Sequence, residues 1–441
     1  MGLETLPSRS EGLSPELVPG KFTRDCAGWG ILISYGHDTL CPQSTDHHNS
    51  MSPTCPAPAT DRWTGRRRLF TVLAGGKPDR VPINTYELAG RNSLDWYNRQ
   101  PSYRSLMDYI RAHTDCVTNW NPRPATDRYT CEERFLCSDY PVEIETRTEA
   151  AGQFQRTTRT CHTPKGDLCS VMQSAKDVYT TWHVEHWCKS TADVDKALSV
   201  PYEPARYDAS DLARVKTELG EHGLVMASVG DPAYLAADLM SFQDYMMWAF
   251  EETDHFARTV AIIAERVMEN LRRQLDCCVL DCYRIVGPEY FTPPYLPPAM
   301  FRRFIVPHVT EMTRLIHARG GKVRLHCHGK MRHVLDMILE TGCDGIDPCE
   351  PPPDGDIVLD ELKRRCGARG VSLWGNIELK LLEQGTPAQV SGEVQKIMGQ
   401  AKDGGGFVLM PTAAPINLPL SPKTEANYKA FIEAGLEFGR Y

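Results

Sequence analysis

From about residue 206 onward, short apolar runs alternate with longer segments of helical spacing, and no other feature of the chain restricts its fold as much. The spacing predicts helices over 206–221, 241–274, 298–319, 330–341, 356–366, 387–402 and 421–438. Between them lie strand candidates: Leu224-Val-Met-Ala-Ser, Cys277-Cys-Val-Leu-Asp-Cys-Tyr, Lys322-Val-Arg-Leu-His, Gly345-Ile-Asp, Gly370-Val-Ser-Leu-Trp and Gly406-Phe-Val-Leu-Met. Two more, Val81-Pro-Ile-Asn-Thr-Tyr and Cys116-Val-Thr-Asn-Trp, precede them, separated by a helical stretch from Ser102 to Thr114. Strands that follow helices in this way imply an α/β protein with a parallel sheet. Eight such units closing on themselves make a TIM (β/α)8 barrel. An open doubly wound sheet would carry a glycine-rich phosphate loop after its first strand, and Glu87-Leu-Ala-Gly-Arg91 is not one.

The rhythm is interrupted after the second strand. Between about 122 and 200, Thr-, Val- and aromatic-rich runs alternate with turns such as Thr163-Pro-Lys-Gly-Asp, which reads as a small antiparallel β-insertion in a barrel spanning 61–441. Residues 1–60 hold Ser, Pro, Gly and His with little periodicity and are expected to form a disordered tail, with the His47–His48 pair inside it. Apolar residues make up 41% and charged residues 24%, as in a globular protein, and a net charge of -8 offers no footprint for nucleic acid. The sequence contains no run fit to span a bilayer and no secretory signal, so a cytoplasmic location without membrane partners is expected. The 16 cysteines are scattered without a CxxC pair and read as buried thiols.

A barrel places its active site at the carboxyl ends of the strands. Collected there are Glu87 and Arg91, Asn119, Asp231, Glu289, His326 and His328, Asp347 and Glu350, Asn376 and Glu378, and Thr412. Strand alternation sets His326 and His328 on one face and Cys327 on the other. Two imidazoles at a strand end beside a glycine suit a divalent metal such as zinc, which needs a further ligand. Glu289, held by Pro288 and the following Pro293–Pro294, is the first choice, with Glu350, Asp347 and Cys282 as others. Arg91, after Gly90, is a candidate anion binder, and Asn376 a substrate hydrogen-bonder. Glu289, Arg91 and Asp347 are the candidates for chemistry, and Glu87, Asn119, Asn376 and Glu350 for substrate binding.

Ala89-Gly90-Arg91, His326-x-His328-Gly329 and Gly375-Asn376-Ile377-Glu378 followed by Gly385-Thr386-Pro387 resemble the uroporphyrinogen decarboxylase superfamily over roughly residues 62–441. The resemblance implies a TIM barrel and two chemistries. The decarboxylases use no cofactor and bind porphyrinogen carboxylates with a first loop like R-x-A-G-R. Here Glu87 replaces the first arginine, Asn119 stands where an aspartate is expected, and the late histidine is missing from Met410-Pro-Thr-Ala-Ala. The corrinoid-dependent methyltransferases carry a zinc motif like H-x-C-G with a distant cysteine. Here His328 replaces the first cysteine, and the second falls near Ala413–Ala414. The resemblance thus implies a zinc-dependent enzyme moving a methyl group from a small methoxy- or methylamine-type substrate to a corrinoid on a separate protein. The alternative is a uroporphyrinogen decarboxylase of tetrapyrrole biosynthesis.

Overall fold

The computed structural model describes residues 63–125 and 134–441, so the expected tail and its His47–His48 pair lie outside the described residues. The apolar runs become parallel strands. β1 (Cys116–Asn119) is followed by the insertion strands β2 (Glu143–Ala151), β3 (Phe154–Thr163), β4 (Gly166–Ala175) and β5 (Val178–Glu185). The parallel sheet resumes with β6 (Gly223–Gly230), β7 (Cys282–Val286), β8 (Lys322–His326), β9 (Gly345–Asp347), β10 (Ser372–Ile377) and β11 (Phe407–Pro411). The seven parallel strands run in the order β1-β6-β7-β8-β9-β10-β11, so each strand pairs with the next one contributed to the sheet. Val225, Met226 and Ala227 in β6 and Phe407, Val408 and Leu409 in β11 are buried on both faces. Strands covered on both sides tolerate such continuous apolar runs, whereas half-exposed strands alternate.

Helices cover the outside. The 25-residue helix Thr253–Cys277 packs its apolar stripe, including Phe256, Val260, Ile263 and Leu271, against the core. Helix Pro387–Ala401 begins at a capping box, Thr386 with Gln389, and has proline in its first turn where no backbone donor is needed. The four insertion strands form their own antiparallel sheet in sequence order over 143–185, narrower than the expected 122–200. Its β4–β5 hairpin is anchored at its turn: Tyr179 N donates to the Ile416 carbonyl at 2.7 Å, Leu418 N donates to Asp177 at 2.9 Å, and the Tyr179 ring stacks on Trp96 at 3.9 Å.

Two strand expectations need correction. Val81-Pro-Ile-Asn-Thr-Tyr is an extended segment with a single bridge, Ile83 to Leu409, rather than a strand. Pro82 has no N–H to give a ladder, and Tyr86 already sits at φ 58° in a turn. The segment still hydrogen-bonds on both sides: Leu409 N donates to Pro82 O at 3.0 Å and Asn84 N to Leu409 O at 2.9 Å, while Asp115 N donates to Ile83 O at 2.8 Å just ahead of β1. The run from Cys277 to Tyr283 mostly precedes its strand, because the preceding helix continues through Cys277 and β7 starts at Cys282.

Asp115 secures this junction. Its carboxylate, 1% exposed, takes Arg80 Nη1 at 2.7 Å, Arg68 Nη1 at 3.2 Å and Ile83 N at 3.0 Å. Removing one member of a buried ion pair strands the charges left behind. Asp115→Ala is therefore expected to destabilise the protein by about 3 kcal/mol, read from urea or thermal unfolding, with Asp115→Asn falling between it and the wild type.

Candidate active site

β8 ends at His326, and the chain leaves it through Cys327 and His328 to Gly329, whose φ of 76° is the left-handed turn a side chain would resist. β9 ends beside it, with His326 and Asp347 in direct register. The register brings His326 Nδ1 to 2.6 Å from Asp347 Oδ1. One strand further on, Arg284 of β7 lies in register with Arg324 of β8, and both guanidiniums converge on Asp347. Arg324 Nε stands 2.6 Å from Oδ2 and Arg284 Nη2 3.2 Å from Oδ1. Each guanidinium also covers a ring: Arg324 lies over Trp374 at 4.6 Å, and Arg284 over Tyr86 at 4.9 Å, donating to the Tyr86 hydroxyl at 2.6 Å. Asp347 has no exposed surface. Burial alone would raise its pKa, but Arg324, Arg284 and His326 outweigh that and hold the carboxylate well below its ordinary range.

His326 belongs to this charged floor. Its Nδ1 stands 2.6 Å from Asp347 Oδ1 and 2.7 Å from Arg284 Nη2, and its Nε2 lies 3.3 Å from the same guanidinium nitrogen. Burial first, then the Arg284 charge, push its pKa down to about 3, so it stays a neutral imidazole. His328 is different. Its ring stands at 90° to that of His326, with centroids 4.5 Å apart, and its Nδ1 meets Glu350 Oε1 at 2.8 Å. The other Glu350 oxygen accepts from Gly329 N at 2.7 Å, which fixes the carboxylate. Burial works to lower the His328 pKa, but the charge and hydrogen bond of Glu350 and the charge of Glu289 raise it above the usual imidazole value. The site thus holds one imidazole kept neutral and another inclined to hold a proton.

Around these lie carboxyls that lack such compensation. Glu289, after β7, has its Oε2 buried with no hydrogen-bond partner, and burial raises its pKa. Asp231, after β6, accepts from Ala233 N and Tyr234 N through Oδ1. Its Oδ2 has no partner, and burial, with the Glu289 charge adding to it, moves its pKa to about 8. Glu87 and Glu378 are also raised by burial, Glu378 to about 8. The amide oxygens of Asn119 and Asn376 are buried without partners as well.

The strand ends therefore gather Glu87, Asn119, Glu289, His326, His328, Asp347, Glu350 and Asn376 as expected from the sequence. Arg91 is not among them. It donates to the Arg111 carbonyl at 3.0 Å, and its charge acts on Cys116 and His222, at the amino-terminal ends of the strands. Arg111 in turn donates to the Gly90 carbonyl, locking the turn in that direction. Cys327 is fully buried, as alternation requires. The residues that sequence reasoning missed are Arg284, Arg324, Tyr86 and Trp374. Their one signal is an arginine inside each of two otherwise apolar strands, Cys282-Tyr-Arg-Ile-Val and Lys322-Val-Arg-Leu-His, at positions that share a face.

The expected zinc trio of His326, His328 and Glu289 is not gathered. Among the described residues no group of three His, Cys, Asp or Glu side chains is placed to hold a metal. His326 is already engaged, its Nδ1 by Asp347 at 2.6 Å and Arg284 at 2.7 Å, with the same guanidinium nitrogen 3.3 Å from Nε2. His328 and Glu289 remain as two donors, one short of a three-ligand site.

The family model for uroporphyrinogen decarboxylase (URO-D) matches residues 183–435. Among solved structures, a methyltransferase from Methanosarcina mazei superposes with a TM-score of 0.55 at 18% identity, over 86% of this chain and 99% of that one. No curated protein sequence matches. No helix among the described residues is long and apolar enough to cross a membrane.

The depressed His326 pKa has a measurable consequence. Unfolded, this imidazole binds a proton below its ordinary value of 6.5, whereas folded it does so only below about 3. Its contribution to stability is therefore complete above pH 6.5 and lost as pH falls from there toward about 3. His326→Gln is expected to flatten the stability profile in that window, as read from denaturant unfolding at successive pH values.

Proposed function

The chain belongs to the uroporphyrinogen decarboxylase (URO-D) family, and we propose that it is a methyltransferase that takes a methyl group from a small methoxy- or methylamine-type substrate and passes it to a corrinoid protein. The curled sheet is read as a TIM barrel whose eighth stave is the extended 81–85 segment, with the site at its carboxyl-terminal mouth. The fold likeness to a methyltransferase agrees with this reading. The observation that carries it is the His328–Glu350 pair in a mouth lined with uncompensated carboxyls.

Breaking a methyl–oxygen or methyl–nitrogen bond leaves an electron pair on the heteroatom, which departs as a neutral molecule only with a proton in place. His328 is suited to manage that proton. Glu350 fixes the tautomer and orientation through Nδ1, and the paired charges keep the ring near its protonated state. The Arg284–Asp347–His326 floor remains fixed, setting the bottom of the pocket. Zinc would polarise the leaving oxygen or nitrogen, but with only two donors present no step is assigned to it. Porphyrinogen decarboxylation finds less support. A substrate bearing many carboxylates needs several cations at the mouth, and it would meet Glu87, Glu289 and Glu378, while the two floor guanidiniums are both engaged by Asp347.

The reading is tested by incubating the full chain with methoxy and methylamine compounds and a reduced corrinoid acceptor, following the corrinoid spectrum. Methyl transfer is expected from the wild type and a loss of about 100-fold or more in His328→Gln, the range for removing a positioned proton-transfer group. Glu350→Gln should move the basic limb of the rate profile to lower pH, because the charge that raises His328 is gone. Release of carbon dioxide from uroporphyrinogen with no methyl transfer would replace this reading by the decarboxylase one.

A further inference from the structure

The polar atoms left without partners in the mouth are biased in kind. Asn119 Oδ1, Asp231 Oδ2, Glu289 Oε2, Asn376 Oδ1 and Glu378 Oε1 are buried acceptors with no hydrogen-bond donor. Against them stand Arg284 Nε and the His328 ring, whose Nε2 is also buried and whose charge acts on Glu289, while the remaining Arg324 and Asp347 atoms face each other at 2.6 Å. Buried polar groups are nearly always satisfied in a working protein, so a set of orphans of one kind describes what is meant to fill the space. These five come from the ends of β1, β6, β7 and β10, which places them around the mouth rather than along one element.

Two of them are more than nine-tenths buried, Asn376 at 4% and Asp231 at 0% exposed. Asn376 is fixed by its strand. It lies near the end of β10, in register with Met410 of β11, and its amide oxygen is buried. The cations near these acceptors are only partly available to them. Arg284 and Arg324 share the single carboxylate of Asp347, with the Arg284 charge also felt by Glu87 and Glu289, and Lys380 is divided between Asp354 and Glu378, the latter at 3.7 Å.

From this we infer that the mouth binds its methyl donor as an ammonium ion, a methylated amine carrying at least one N–H, rather than as a methoxy compound. The inference rests on the methyl-transfer reading and narrows it. The cation compensates Glu289 and its neighbours, and its N–H groups give donors to the orphaned oxygens. A neutral ether offers neither. An ammonium ion also brings the proton its leaving nitrogen needs: the carbon–nitrogen electron pair passes to nitrogen, the amine leaves neutral, and the methyl group joins the lone pair of the nucleophilic corrinoid acceptor, with no external oxidant. The raised pKa values of Glu87, Glu289 and Glu378 agree, since burial outweighs the charges of Arg284, His328 and Lys380 that pull them down.

Binding to the full chain is measured by calorimetric or NMR titration with trimethylammonium, with tetramethylammonium, which has the charge but no N–H, and with tert-butanol, which has a donor but no charge. Trimethylammonium is expected to bind at least about tenfold tighter than either, the factor a charged hydrogen bond commonly supplies. Glu289→Gln, of the same shape, should weaken it by about tenfold. Equal binding of tert-butanol, equal binding of tetramethylammonium, or no binding of trimethylammonium to the wild type overturns the inference. Turnover of methoxy compounds without ammonium binding would also overturn it while leaving the methyltransferase reading intact. Ammonium binding with no methyl transfer would do the reverse.

Discussion

Asp347 is the constraint on which the mouth depends. A carboxylate with no exposure is tolerated only when paired and hydrogen-bonded, and here two guanidiniums and an imidazole supply that compensation from two neighbouring strands. The arrangement holds β7, β8 and β9 in fixed relation at their carboxyl ends. It also divides the labour between two histidines that look equivalent in sequence. His326 is locked into the ion network and kept neutral, whereas His328 is paired with Glu350, a carboxylate fixed in turn by the Gly329 N–H.

The same physics explains why neighbouring carboxyls behave oppositely. Asp347 and Glu289 are both buried acids, yet one is held far below its ordinary pKa and the other above it. The difference lies in partners, not depth. Where cations converge the charge is stable, and where they do not the carboxyl is left poised, able to take a proton or to receive a cation from outside. The insertion bears on this through Tyr179, which the Trp96 stack and the Ile416 carbonyl hold over the loop that follows Glu87. Burial of that loop is part of what raises Glu87.

The parallel strands and the placement of the His pair were legible because both follow from periodicity, which a single chain displays. Other features depended on contacts across the fold. Nothing local to Arg91 says that it will turn toward Arg111 and the far end of the strands, since Gly90 permits either direction. Arg284 was hidden for the opposite reason: an arginine inside an apolar strand looks like a boundary, and only Asp347, distant in sequence, makes it a tolerable interior residue. The same arginine also comes within 2.7 Å of His326 Nδ1, a contact that no local pattern announces. The fourth strand began late because the preceding helix continues through Cys277, a residue whose own propensity favours neither state strongly.

The extended segment at 81–85 lies between β1 and β11, hydrogen-bonded to Leu409 on one side and met by the Asp115 N–H on the other. These neighbours are made at very different times. On a ribosome the segment gains the Asp115 side soon after it emerges, but its other partner, Leu409, is made only after all the other strands of the sheet. Until then one row of its backbone groups faces water, and the pocket has no complete wall. Nascent chains that stop short of β11 should therefore carry an exposed edge that chaperones can recognise.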